Sequence, residues 1–166
     1  GDKLASEGPA AFYSADYFAD YPPGYILVLG LVSLVRKALQ LSYESHWTYF
    51  LLALIPAICD CAAVVLLDHI SRRYMGQGRA QRCLVLFAAF CPLTLFDTGI
   101  WKQIDGAFAL PLLLCFWLLE ERRYLLAAVL YGVALAIKPQ ALLAGPVLAV
   151  CFLVAIADAV RDGKSP

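Results

Sequence analysis

Residues 48–67 read TYFLLALIPAICDCAAVVLL, twenty residues with one charged side chain, Asp60. A helix needs about 20 mostly apolar residues to cross the hydrocarbon core of a bilayer, so this stretch reads as a spanning helix. Outward from it the pattern repeats: residues 83–96, 106–119 and 124–137 are apolar runs of fourteen, and residues 139–157 form one of nineteen. The runs of fourteen cross only if their polar flanks belong to the helices. Residues 21–35 are uncharged too, but they open on two prolines and end at Arg36-Lys37. They either cross the bilayer, which would make the Asp20 region cytoplasmic, or, the preferred reading, form a juxtamembrane helix at the outer interface, amphipathic through Ser33, Arg36, Lys37 and Gln40. The expected fold class is therefore all-α: a polytopic transmembrane helix bundle of about five spanning helices plus an N-terminal extracytoplasmic juxtamembrane helix. Residues 1–46 form the extracytoplasmic loop with that helix, and residues 47–166 the bundle, as part of a longer membrane domain.

Composition agrees. Of 166 residues, 62% are hydrophobic and 16% charged, with mean hydropathy +0.73, whereas a soluble domain carries about 45–50% apolar and about 25% charged residues. A water-soluble fold is excluded. Thirteen basic residues balance thirteen acidic ones, and none line up as a stripe along a helix, so nucleic acid is not an expected partner. Cys59, Cys61, Cys83, Cys91, Cys115 and Cys151 all lie in apolar runs without metal-ligand spacing, and read as reduced, structural thiols. The chain opens on Gly1 rather than methionine and stops soon after an apolar run, so it reads as an internal fragment.

Cytoplasmic turns are enriched in Lys and Arg. The turns at 69–82, 120–123 and 158–164 hold eight of them: Arg72, Arg73, Arg79, Arg82, Arg122, Arg123, Arg161 and Lys164. The intervening turns hold only Lys102 and Lys138. The first set is expected to be cytoplasmic, which puts the segment before residue 47 and the turns at 97–105 and 138–140 outside.

Polar residues gather on that outer side. Asp16 to Tyr25, Asp97 to Asp105 and Lys138-Pro139-Gln140 would converge there, suiting a phosphorylated or sugar ligand as well as ordinary helix ends. Asp20 either caps the helix that follows Pro22-Pro23 or contacts a ligand. Tyr13, Tyr17, Tyr21 and Tyr25 suit a sugar face or an aromatic belt. Residues 99–106, GIWKQIDG, carry an indole, an amine, an amide and a carboxylate within five positions, more than a plain loop needs. Asp105 directly precedes Gly106 and reads either as an N-cap or as a ligand-orienting carboxylate. Lys138 either snorkels to the interface or pairs with a lipid phosphate. Asp60, at mid-membrane, is expected to be neutral or hydrogen-bonded to a neighbouring helix.

In order, Asp20-Tyr21-Pro22-Pro23, Asp60, Trp101-Lys102-Gln103-Ile104-Asp105 and Lys138-Pro139-Gln140 resemble the C-type integral-membrane glycosyltransferases. The pattern is closest to bacterial polyprenyl-phosphate-dependent hexosyl- or mannosyltransferases, and is similar to the lumenal glucosyltransferases that extend the lipid-linked oligosaccharide. The resemblance implies a hexosyltransferase of the bacterial plasma membrane with an extracytoplasmic active site. It would move one sugar from a polyprenyl-phosphate carrier to a glycan, lipid or protein acceptor. Its substrate-binding residues would be Asp20, Tyr21, Asp97, Trp101, Lys102, Gln103, Asp105, Lys138 and Gln140. Lys102 and Lys138 would face the phosphate; Asp20, Asp97 and Asp105 would orient hydroxyls or hold a divalent cation such as magnesium, manganese or calcium, although no spacing demands a metal. The family's catalytic base lies some thirty residues before the Pro-Pro pair, upstream of Gly1, so the fragment alone is expected to be inactive. The alternative is a fragment of a polytopic transporter or lipid-linked glycan flippase, which would place polar residues at bilayer depth in several helices. A noncatalytic scaffold would explain the apolar runs but not the outer cluster.

Overall fold

A computed structural model describes residues 2–8 and 22–161. Among these residues there are helices and no strands. In chain order they are α1 (Asp2–Glu7), α2 (Pro23–Ala38), α3 (His46–Met75), α4 (Arg79–Ala89), α5 (Pro92–Phe96), a π-helical turn (Asp97–Trp101), α6 (Asp105–Glu120), α7 (Tyr124–Ile137), a 3₁₀ turn (Pro139–Ala144) and α8 (Gly145–Arg161).

Three stretches are long and apolar enough to cross a membrane: His46–Met75 with 30 residues, Arg79–Trp101 with 23 and Pro139–Asp158 with 20. The flanks of the 83–96 run therefore do join its helix. The 106–119 run gains one residue at each end and the 124–137 run none, leaving α6 and α7 at 16 and 14 residues, about 24 and 21 Å long. These two pack against each other along their length. Ala127 and Ala134 are fully buried, and such small side chains let helix backbones approach closely in an apolar medium. Cys115, Leu118, Ala127 and Leu148 form the core where α6, α7 and α8 meet, with Phe116, Trp117 and Phe152 packed around them. All six cysteines are unpaired thiols. Large apolar side chains such as Leu125, Leu93 and Leu143 point outward, the surface a bilayer covers.

Polar contacts mark two ends of the bundle. At one, Arg73 of α3 pairs with Glu121 and the Tyr74 hydroxyl donates to Glu120, so the base of α3 is fastened to the α6–α7 turn. Nearby, the buried Gln81 amide of α4 donates to Asp68 Oδ1 at 2.7 Å and Ser71 Oγ at 3.1 Å. At the other end α6 begins against the middle of α3. Gly106 abuts the Asp60 carboxylate and the Pro56 carbonyl, while α3 continues ten residues further to His46, about 15 Å by helical rise. The second end is thus recessed beside a projecting half of α3.

Helix α2 fills the space beside that projection. Its start lies on the end of α7, where a Cβ on Gly24 would come within 2.6 Å of the Ala136 carbonyl oxygen. Its finish is tied toward α3: Arg36 donates to the Leu41 carbonyl at 2.8 Å, and Thr48 to the Ser42 carbonyl at 2.7 Å. It has 16 residues and is not among the stretches long enough to cross a membrane. Its polar residues do not form the single outward face read from the sequence. Ser33 and Arg36 are buried and Leu27, Leu31 and Leu34 exposed, because Asp2 of α1 accepts from Ser33 and pairs with Arg36 at 2.6 Å. A guanidinium in an apolar setting is held by a carboxylate partner; Asp2 supplies one, so the polar face turns inward while Lys37 and Gln40 stay exposed.

Candidate functional site

The recessed end is built around Asp60. It lies twelve residues before Arg72 on α3, about 18 Å of helical rise, well inside the apolar layer. Its Oδ2 accepts a hydrogen bond from Thr98 Oγ1 at 2.5 Å, from a hydroxyl buried in the π-helical turn. The expectation that Asp60 bonds a neighbouring helix holds.

The segment between Thr98 and Gly106 carries the other polar groups. The π turn lets both Lys102 and Gln103 donate their amides to the Asp97 carbonyl, the latter at 3.1 Å. Closing the turn puts Lys102 in the left-handed region, φ 56 and ψ 37, an uncommon conformation for a side-chain-bearing residue. Lys102 Nζ donates to the Ile100 carbonyl at 3.2 Å and lies 5.2 Å from the Tyr49 ring centroid. Trp101 packs edge-on against Phe96 with centroids 6.0 Å apart.

Helix α6 then starts at Asp105, one residue earlier than the N-cap reading supposes. Ile104 is the capping residue and no side chain caps the helix. The Asp105 carboxylate instead pairs with the Lys138 ammonium, whose side chain is 21% exposed against 45% for Asp105. Lys138 therefore has a protein partner, which neither the snorkelling nor the lipid-phosphate reading supplies. The pairing follows from backbone geometry: a residue before proline is driven to extended dihedrals, and Lys138, at φ −148 and ψ 123, swings off the end of α7 toward α6. Its ammonium also lies 5.6 Å from the Phe108 ring centroid.

These elements enclose a cavity of about 750 Å³. Trp101, Lys102, Gln103, Lys138 and Gln140 line its polar side; Ile104, Ile137, Leu142 and Leu143 its apolar side; Pro22 and Tyr25 the wall from α2. Five of the nine residues read as substrate-binding thus share one cavity, and Asp105 joins them through Lys138. Asp97 is not among the lining residues but lies within electrostatic reach of Asp105, Lys138 and Asp60. Asp16, Asp20 and Tyr21 lie outside the described residues. Among the described residues no group of three His, Cys, Asp or Glu side chains is placed to hold a metal ion. The sequence reading overlooked Thr98, Gly106 and the leucines of the 3₁₀ turn. A signal for the first two existed: a hydroxyl beside Asp97 and a glycine opening an apolar helix both stand out in so hydrophobic a chain.

The family model of glycosyltransferase family 87 matches residues 18–159. No curated protein and no solved structure matches the chain.

Proposed function

The chain belongs to glycosyltransferase family 87 and is a membrane glycosyltransferase; from that premise we propose that it uses a polyprenyl-phosphate sugar as donor and transfers the hexose to an acceptor outside the cytoplasm, as C-type enzymes do. The observation that carries the reading is the two-sided character of the recessed cavity. A lipid-linked phosphosugar has three chemically distinct parts, and the cavity offers a surface for each. Leu142 and Leu143 are 62% and 84% exposed and give the isoprenoid chain an apolar track continuous with the bilayer. Lys102 and Lys138 offer ammonium donors at phosphate level, while Trp101, Gln103 and Gln140 present a stacking face and amides to the sugar.

In the transfer, an acceptor hydroxyl oxygen bonds to the anomeric carbon as the bond from that carbon to the phosphate oxygen breaks. The electron pair leaves with the polyprenyl phosphate, and the hydroxyl proton passes to a base. Negative charge grows on the departing phosphate, so ammonium groups already fixed near it stabilise the transition state more than the ground state. Lys138 arrives paired to Asp105 and would share its N–H donors with the phosphate; Lys102 has no carboxylate partner among the described residues and would carry the larger part. Asp97 and Asp105 would orient sugar or acceptor hydroxyls, together with Asp20 and Tyr21.

The test is Lys102→Met in the full-length enzyme, assayed with a polyprenyl-phosphate hexose and separately with a nucleotide hexose. The reading expects transfer from the lipid donor only, with kcat/KM lowered at least about tenfold, the loss of one charge-assisted contact. Transfer from the nucleotide sugar alone, or an unchanged kcat/KM for the lipid donor, would overturn it.

A further inference from the structure

The Asp60 carboxylate touches the same loop twice. Thr98 donates to it at 2.5 Å from the π turn, and Gly106, eight residues on, lies so close that a Cβ there would collide with the carboxylate and stand 2.9 Å from the Pro56 carbonyl oxygen. Between these two points hang Trp101, Lys102 and Gln103, the polar wall of the cavity, and Asp105, which holds Lys138. We propose that Asp60 is a positioning residue for sugar transfer: it staples both ends of the loop 98–106 to α3 and so fixes the two lysines relative to the donor. The proposal rests on the donor reading given above.

The physical case is one of constraint. The loop departs from regular helix through a π turn and a left-handed Lys102, so its own backbone does little to define where Lys102 points. Pro56, buried within α3, cannot donate a backbone hydrogen bond, and its carbonyl lies against the start of α6. Glycine at 106 permits that approach, because any side chain would push the α6 start away. Thr98 is buried and its hydroxyl would otherwise be unsatisfied in an apolar environment, so the hydrogen bond to Asp60 selects one placement of the turn. Asp60 is not among the residues that line this cavity; its contacts with the site run through Thr98 and Gly106 of the loop. What the staple needs from residue 60 is a hydrogen-bond acceptor of aspartate's shape, not its charge.

The experiment is made in the full-length protein with two readouts. The first is transfer from a polyprenyl-phosphate hexose, separated into kcat and donor KM. The second is the alkylation rate of Ile104→Cys in a cysteine-free background; Ile104 is 7% exposed at the loop's far end, so a thiol there is protected while the loop is stapled. Thr98→Val, which keeps the shape and removes the donor, should lower kcat by about ten- to a hundredfold, the scale on which small misplacements of catalytic groups act, and should expose the thiol. Thr98→Ser should restore both readouts, and Asp60→Asn, whose amide oxygen still accepts from Thr98, should stay near the parent in both. Parental kcat in Thr98→Val, equal losses in the Val and Ser variants, or a thiol equally protected in both overturns the staple. Loss of transfer in Asp60→Asn with the thiol still protected would instead assign the charge to the chemistry and overturn the positioning role. If the parent fails to use the lipid donor, the donor reading falls alone, and the alkylation rates still decide the staple.

Discussion

Replacing Asp105 by Asn and Lys138 by Met, singly and together, should show an ion pair that supports the fold as well as the site. Two unit charges about 4 Å apart interact by about 4 kcal/mol at an effective dielectric of about 20. Asp105 keeps 45% of its side chain exposed and Lys138 21%, so screening lowers that figure. The pair stands between exposed bridges, worth up to about 1 kcal/mol, and buried ones whose breaking costs about 3–5 kcal/mol. A coupling of about 1–2 kcal/mol is expected, with an order to the single losses. Asp105→Asn leaves the more buried partner, the Lys138 ammonium, uncompensated and also removes a negative charge from the first residue of α6, where the helix dipole favours it by about 0.3–1 kcal/mol. Lys138→Met leaves only a half-exposed carboxylate, so the Asn variant should be the less stable by about 1 kcal/mol. Equilibrium unfolding of the four proteins in mixed micelles gives the cycle. Effects that add to within about 0.5 kcal/mol would refute the pairing, because they would mean that the two charges do not neutralise one another in the folded protein, and a Met variant less stable than the Asn variant would refute the order drawn from burial.

The remaining predictions concern α2 and the topology. Gly24→Ala puts a methyl group within 2.6 Å of the Ala136 carbonyl oxygen and should cost about 1–3 kcal/mol as overpacking against rigid backbone, seen as a lower unfolding midpoint. Gly132→Ala, on the same α7 but with nothing within 4 Å of its Cβ, should be neutral or stabilising by up to about 1 kcal/mol. In intact cells, an impermeant thiol reagent should modify Gln103→Cys and not Gln77→Cys in a cysteine-free background, as the eight-to-two partition of basic residues predicts. Modification of the Gln77 position alone would reverse the orientation.

Much of the candidate site was legible because polar residues are costly in an apolar chain. Each one in the 97–105 and 138–140 segments stood out against its neighbours, and helical alternation sent both segments to one end of the bundle. What the residues do to one another was not legible. Asp105 read as a cap because it precedes an apolar run, yet Ile104 occupies the cap position and Asp105 reaches Lys138. Thr98 stood out beside Asp97, but its partner Asp60 lies thirty-eight residues away, a pairing that no local signal carries. On α2, hydrophobic periodicity set Ser33 and Arg36 on one face, but that face meets Asp2 rather than water.

The sequence by itself determined that this chain is an α-helical membrane bundle, where its apolar segments lie, and to which end its polar residues go. These follow from free energies local to a segment: burying about twenty apolar residues favours a spanning helix, and backbone groups deprived of water must be satisfied within that helix. Only the tertiary structure decided that α6 begins against the middle of α3, which recesses the cluster about 15 Å below His46. It likewise decided that Lys138 pairs with Asp105, that Asp60 accepts from Thr98, and that Gly106 lies against the same carboxylate. Such choices rest on how closely two helices approach, which Gly106, Gly24 and the buried alanines of α7 permit, and close approach is a property of a pair of surfaces that neither sequence segment carries alone.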